Sequence, residues 1–322
     1  VYLLAYSFIR NHFDSKKALG ISFFTALLFA IHPVQVETVC WISASKIVLS
    51  TFFYLSALIC YIQYMRNSKW QYLLASVVSS ILAMGCKEQS VIIVPCLLLF
   101  DWMLFKRNMR SLKVYIEKVY YLIPAIAIFI VTLVANKDTG EEIIGYTIVD
   151  RFIFLCYSVF KYLLISAIPF KLSYLYPFPF QVGEKIPMAL WIYPFVILFI
   201  GYVIYLNRRK PLLVFCTLFF ILHLLPVLHV IPLPRYVVVA DRYLYIPYIA
   251  FAIGLSILSY HLYERQRKWI LYAGFLYCSY LCVYTASYAP AWKNSDTLKE
   301  HFKEVLKKRE TNLSINFKHE KQ

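Results

Sequence analysis

Long apolar runs separated by short basic connections dominate the chain. The runs lie near 18–36, 47–64, 70–86, 91–105, 119–135, 189–206, 211–231, 243–262 and 268–288, with a further one at 151–168. About 20 apolar residues in an α-helix cross a hydrocarbon core about 30 Å thick, and most of these runs approach that length. They predict transmembrane helices. Alternating residues, which a membrane β-barrel requires, are absent from them.

The connections orient the helices. Segments 10–17, 65–69, 106–118, 207–210 and 263–268 hold 16 of the 33 Lys and Arg residues and three acids, which marks them as cytoplasmic by the positive-inside rule. Run 18–36 then exits, placing 32–46 outside. Alternation places 87–90, 136–150, 232–242 and the residues after 289 outside as well. The run 151–168 breaks the alternation if it crosses. It carries Arg151 and Lys161 and ends before Pro169, so it is expected to lie along the outer interface or to re-enter from it.

Composition agrees with this reading. Hydrophobic residues make up 61% and charged residues 16%, with a mean hydropathy of +0.63. Soluble domains are about half apolar and about one quarter charged. The expected class is an all-α polytopic membrane protein. The net charge of +16 follows from the orienting loops, and no nucleic-acid partner is expected. The eight cysteines form no CxxC motif and sit in apolar segments, where free thiols behave as small apolar side chains.

The division expected is a transmembrane domain over 1–288 and the start of a soluble, non-cytoplasmic region over 289–322. In the latter, Ser295 or Asp296 is expected to cap a helix with Leu298, Phe302, Val305 and Leu306 on one face. Asn312-Leu-Ser314 matches a glycosylation sequon. The chain opens inside an apolar run, without Met or a signal-peptide layout, so a preceding span and outer loop are expected upstream.

Charge inside apolar sequence is costly and usually serves a purpose. Three such places fall on the expected outer face: His32 to Glu37, Lys87-Glu88 and Asp241-Arg242. The acidic stretch with Asp138, Glu141, Glu142 and Asp150, and the aromatic segment 170–187, share that face. Asp101-Trp102 falls at the opposite end and reads as an anchor. His223 and His229 do not have metal-ligand spacing on one helix. No zinc motif, phosphate loop or Ser/His/Asp signature is present.

The stretches HPVQVETVCWIS (32–43), GCKEQSVIIVPCLLLFDW (85–102), KYLLISAIPFKLSYLYPFP (161–179), LLPVLHVIPLPRYVVVADRYLYIP (224–247) and APAWKNSDTL (289–298) resemble, in this order, the membrane half of the TMTC-type proteins (transmembrane and tetratricopeptide-repeat-containing). The resemblance covers about residues 1–300 and implies a GT-C-like bundle of nine to ten transmembrane helices. It also implies transfer of a hexose such as mannose from a polyprenyl-phosphate donor to a protein Ser or Thr hydroxyl at the non-cytoplasmic face. Tetratricopeptide repeats follow the last span in that family.

Where the family reads WISGRKDLL, this chain has WISASKIVL. Ser45 and Ile47 replace the family's Arg and Asp, so those roles do not carry over. The catalytic base is expected in the upstream loop. Departing phosphate needs fixed cations. Lys87 and Arg242, then Arg235 and His32, are the expected phosphate-binding residues, with Glu37, Glu88 and Asp241 orienting the cations. The partners implied are membrane lipid, the lipid-linked donor and a protein acceptor. The membrane is a bacterial inner membrane or that of the endoplasmic reticulum. A transporter or flippase, or a non-catalytic anchor for a repeat domain, are the alternatives.

Overall fold

The computed structural model describes residues 1–135, 145–173, 176–228, 237–265 and 267–303. These residues are all-α. They form helices α1 (Tyr2–Ile9), α2 (Ser15–Ile31), α3 (Val36–Cys40), α4 (Ser45–Asn67), α5 (Trp70–Cys86), α6 (Ile93–Met103), α7 (Leu112–Ala135), α8 (Ile148–Ala167), α9 (Ile192–Leu206), α10 (Pro211–Leu224), α11 (Pro247–Arg265) and α12 (Arg267–Tyr288), joined in places by 3₁₀ turns. One isolated antiparallel bridge, Tyr176 to Val239, is the only β pairing among the described residues.

Among the described residues, four segments are long and apolar enough to cross a bilayer: Ile42–Asn67, Leu112–Ala135, Met188–Leu206 and Trp269–Trp292. A fifth is the bent pair Ser15–Ile31 and Pro33–Cys40, which turns through 54° at its break. Proline chemistry sets that break. A residue before proline is driven out of the α region, and His32 is extended at φ −74°, ψ 128°. The expected run 18–36 therefore ends at Ile31, and Pro33 to Cys40 form a separate short 3₁₀ turn and helix. The apolar helices Trp70–Cys86 and Pro211–Leu224 are shorter.

Sequence signals place several ends. Pro211 occupies the first turn of α10, where its missing N–H costs nothing. Thr147 and Asp150 form a reciprocal capping box at the start of α8, with Asp150 Oδ2 accepting from the Thr147 N–H at 2.7 Å. Helix α4 stops at Ser68, which takes the left-handed conformation (φ 54°) usually reserved for glycine or Asn. The tail helix starts differently from expectation. Asn294 is the cap, its Oδ1 accepting from the N–H groups of Asp296 at 3.0 Å and Thr297 at 2.8 Å. Residues 295–303 are helical with Leu298 against the core; Val305, Leu306 and the sequon lie outside the described residues.

The loops sort into two groups. At one end Lys17 pairs with Glu264 at 3.0 Å, Arg66 donates to the Ser7 carbonyl at 3.1 Å, and Phe13 packs on Tyr260. At the other, segments 32–42, 87–90, 171–173, 237–246 and 284–292 meet, with Tyr176 among them. Helix α8 contacts that second group along its length. Ser158 donates to the Val238 carbonyl, the Ala240 N–H donates to Tyr162, and Tyr146 and Phe154 stack on Phe178 and Phe180.

A tyrosine row on α12 fastens the chain leaving α8. Tyr277 and Tyr280 donate to the carbonyls of Ala167 and Pro169, and Tyr284 accepts from the Leu172 N–H. Tyrosines three and four apart share one helix face, so one face of α12 satisfies successive backbone groups of a segment that has no helix of its own.

Candidate functional site

Two corners build the polar end. At the first, α4 presents Ser50, Thr51 and Tyr54 on one face. Ser50 donates to the Ala83 carbonyl at 2.9 Å and hydrogen-bonds Ser90 at 2.7 Å. This fixes the turn between α5 and α6, which carries Lys87. At the second, a 3₁₀ turn over Asp241–Leu244 starts before α11. Glu37, wholly buried on α3, accepts from the Arg242 backbone N–H at 2.8 Å and from its guanidinium at 2.5 Å. Both carboxylate oxygens thus hold one arginine. The guanidinium also lies over the rings of Trp41 and Tyr243, at 5.5 and 5.1 Å from their centroids, a favourable cation–π geometry.

Lys87 and Arg242 line one cavity of about 40 Å³ with Ser50, Thr51, Tyr54 and His223. The His223 tautomer follows from its partners. The Phe219 carbonyl can only accept, so Nδ1 at 2.8 Å carries the proton, and Nε2 accepts from the Tyr54 hydroxyl at 2.8 Å. The Thr51 hydroxyl is buried without a hydrogen bond. The chamber wall thus combines hydroxyls and two cations with the apolar side chains of Ile47, Ile92, Ile246 and Pro247. Sequence reasoning missed Tyr54, Thr51 and His223. The adjacent hydroxyls Ser50 and Thr51 inside the apolar run 47–64 were a signal; Tyr54 and His223 carried none.

The other expected residues divide. Glu88 pairs with Lys87 at 3.0 Å, as expected of a supporting acid. Asp241 does not orient a cation. Consecutive residues of a 3₁₀ turn point about 120° apart, and its Oδ1 accepts from Tyr176 at 2.9 Å while Oδ2 is buried without a hydrogen bond. His32 is also separate from the cations: it is wholly buried, its ring 4.2 Å from that of Tyr248, and its Nδ1 accepts from the Val34 N–H at 3.3 Å. Its expected phosphate contact has no access in this arrangement. Arg235, with His229, Asp138, Glu141 and Glu142, lies outside the described residues.

Burial pushes the Asp241 carboxyl well above the usual carboxylate range, and the neighbouring Glu37 charge adds to the effect. Asp241 therefore holds its proton to higher pH than an exposed aspartate does. Its folded form keeps a proton that the unfolded chain loses above about pH 4. Stability from this group is therefore fullest at low pH and declines as pH rises toward the folded value. Asp241→Asn keeps an acceptor for Tyr176 and removes the decline. Thermal unfolding in detergent between about pH 5 and about pH 8 should show the variant gaining on wild type as pH rises; parallel curves would refute this assignment.

The opposite end contains a second polar cluster. Asp101, wholly buried, accepts from Tyr61 and from Lys118, each at 2.6 Å, and Arg107 approaches at 3.4 Å while pairing with Glu117. Lys118 is 3% exposed. Asp101 is thus more than the anchor expected from sequence; it is a hub joining α4, α6 and α7. Trp102 beside it is exposed and fits the anchor reading.

Between α6 and α10 runs an open apolar groove of about 420 Å³ lined by residues including Pro95, Leu98, Trp102, Leu218, Leu222 and Leu225. Helix α10 separates it from the chamber, presenting His223 to one and leucines to the other. The chain is thus an all-α protein whose long apolar helices suit a bilayer, with a small chamber at one end lined in part by Lys87 and Arg242. No family model, curated protein or solved structure matches it.

Proposed function

We propose that this chain is the membrane part of a glycosyltransferase that takes a hexose from a polyprenyl-phosphate donor and passes it to a protein Ser or Thr hydroxyl at the non-cytoplasmic face. The observation that carries the reading is that Lys87 and Arg242, from distant parts of the chain, line one chamber. The resemblance of the motifs around both residues to TMTC-type proteins supports it. In this reading the shorter helices α5, α6, α10 and α11 also cross, giving the nine to ten spans of a GT-C-like bundle, and α8 lies along the outer interface. Contacts joining the basic loops at one end agree with a shared cytoplasmic side.

In the reaction the acceptor hydroxyl gives up its proton to a general base, and its oxygen bonds to the anomeric carbon as the bond from that carbon to the phosphate oxygen breaks. The bonding electrons leave with the polyprenyl phosphate, whose charge grows by one unit. Lys87 and Arg242 stabilise that charge, Arg242 through a fork of donors suited to phosphate oxygens. Glu37 fixes the fork in place. The groove between α6 and α10 is suited to the isoprenoid chain. Glu37 and Asp241 are sealed from solvent and do not serve as base.

The test is transfer of label from radioactive polyprenyl-phosphate sugars to protein in membranes containing the full-length protein. Label with wild type that is lost in Lys87→Ala and Arg242→Ala supports the reading. Absence of label with mannosyl and glucosyl donors favours the anchor for a repeat domain.

A further inference from the structure

The two cations of the chamber are held in unlike ways. Glu37 is wholly buried and binds Arg242 through backbone and side chain together. Glu88 has a side chain 46% exposed, and its carboxylate meets the Lys87 ammonium at a single distance of 3.0 Å. Lys87 itself is largely covered, with 16% of its side chain exposed, because the α5–α6 corner fixed by Ser50 and Ser90 points it inward.

Exchange of partners therefore has different consequences at the two cations. Glu88 can leave Lys87 and be hydrated at once. Glu37 cannot leave Arg242 without stranding a charge away from water, which is strongly unfavourable. The chamber of about 40 Å³ has room for an ordered water.

We propose that Glu88 is a built-in competitor for phosphate: its carboxylate occupies the Lys87 ammonium until a phosphate ester displaces it, while Glu37 keeps Arg242 as a fixed half of the site. The proposal rests on the lipid-phosphate reading and adds which cation exchanges its partner. An ammonium offers three donors in any direction, whereas the arginine fork is committed in orientation, so the lysine is the natural exchanging member. Lys46, exposed on the first turn of α4, acts on Glu88 through its charge and gives the displaced carboxylate a second cation to turn to.

Binding of farnesyl phosphate to the full-length protein in phosphatidylcholine nanodiscs tests this, with inorganic phosphate and farnesol as parallel probes. Glu88→Gln should bind farnesyl phosphate about threefold tighter than wild type, the scale of a part-exposed ion pair. Lys87→Ala should bind it more weakly, and adding Glu88→Gln to that variant should give no gain, because the effect acts through Lys87. A similar gain for inorganic phosphate assigns recognition to the phosphate alone; a gain confined to farnesyl phosphate requires the chain as well. Wild type that binds farnesyl phosphate with no gain in Glu88→Gln overturns the competitor role and leaves the phosphate site standing. Failure of wild type and Glu88→Gln alike to bind it overturns both.

Discussion

Asp101→Asn is expected to lower stability by about 3–5 kcal/mol, the cost of leaving a buried charge without its partner. The stranded charge is Lys118, whose ammonium meets Asp101 at 2.6 Å and whose next carboxylate, Glu117, is at 4.0 Å and already engaged by Arg107. Tyr61 remains as a neutral neighbour and cannot replace the charge. Unfolding temperature in detergent should fall by about 10 °C for a chain of this size. The double variant Asp101→Asn/Lys118→Met should recover most of the loss, since removing both charges of a buried pair is often tolerated. If the double variant is no more stable than Asp101→Asn, the hub owes its worth to shape and not to charge.

Arg242→Ala should have the largest effect on function and a large one on stability. It removes the guanidinium from the chamber and leaves Glu37, wholly buried, as a lone carboxylate. The expected loss of transfer is about 10²- to 10³-fold, the scale of removing one fixed donor to developing charge, with destabilisation of about 3–5 kcal/mol. Lys87→Ala should also lose transfer but leave stability nearly unchanged, because the Glu88 carboxylate is half open to water. Equal loss of stability in both variants would contradict the distinction between a fixed and an exchangeable cation.

Much of this arrangement was legible in the sequence. The apolar runs gave the helices, and the loop charges gave the grouping that brings His32–Glu37, Lys87-Glu88 and Asp241-Arg242 to one end. The partners inside that end were not legible. Asp241 and Arg242 are adjacent and read as a pair, yet Arg242 belongs to Glu37, 205 residues away, and Asp241 to Tyr176. Sequence adjacency says nothing of direction on a 3₁₀ turn. Lys118 illustrates a different difficulty. It ends a basic connection whose charge the orientation rule explains in bulk, so nothing marked one of its cations as buried. Tyr54 and His223 were hidden because Tyr and His are ordinary in an apolar helix, and only the tertiary fold brings their side chains within hydrogen-bond distance.

The central claim is that the polar end holds a lipid-linked phosphate between Lys87 and Arg242. Photo-crosslinking tests it most directly, using an isoprenoid monophosphate that bears a benzophenone near the phosphate. The full-length protein would be irradiated in nanodiscs and the labelled peptides sequenced. Label is expected on residues 87–92 and 237–246, and farnesyl phosphate, unlike farnesol, should compete it away. Label on the basic end around residues 60–69 and 101–118, or label indifferent to farnesyl phosphate, would contradict it.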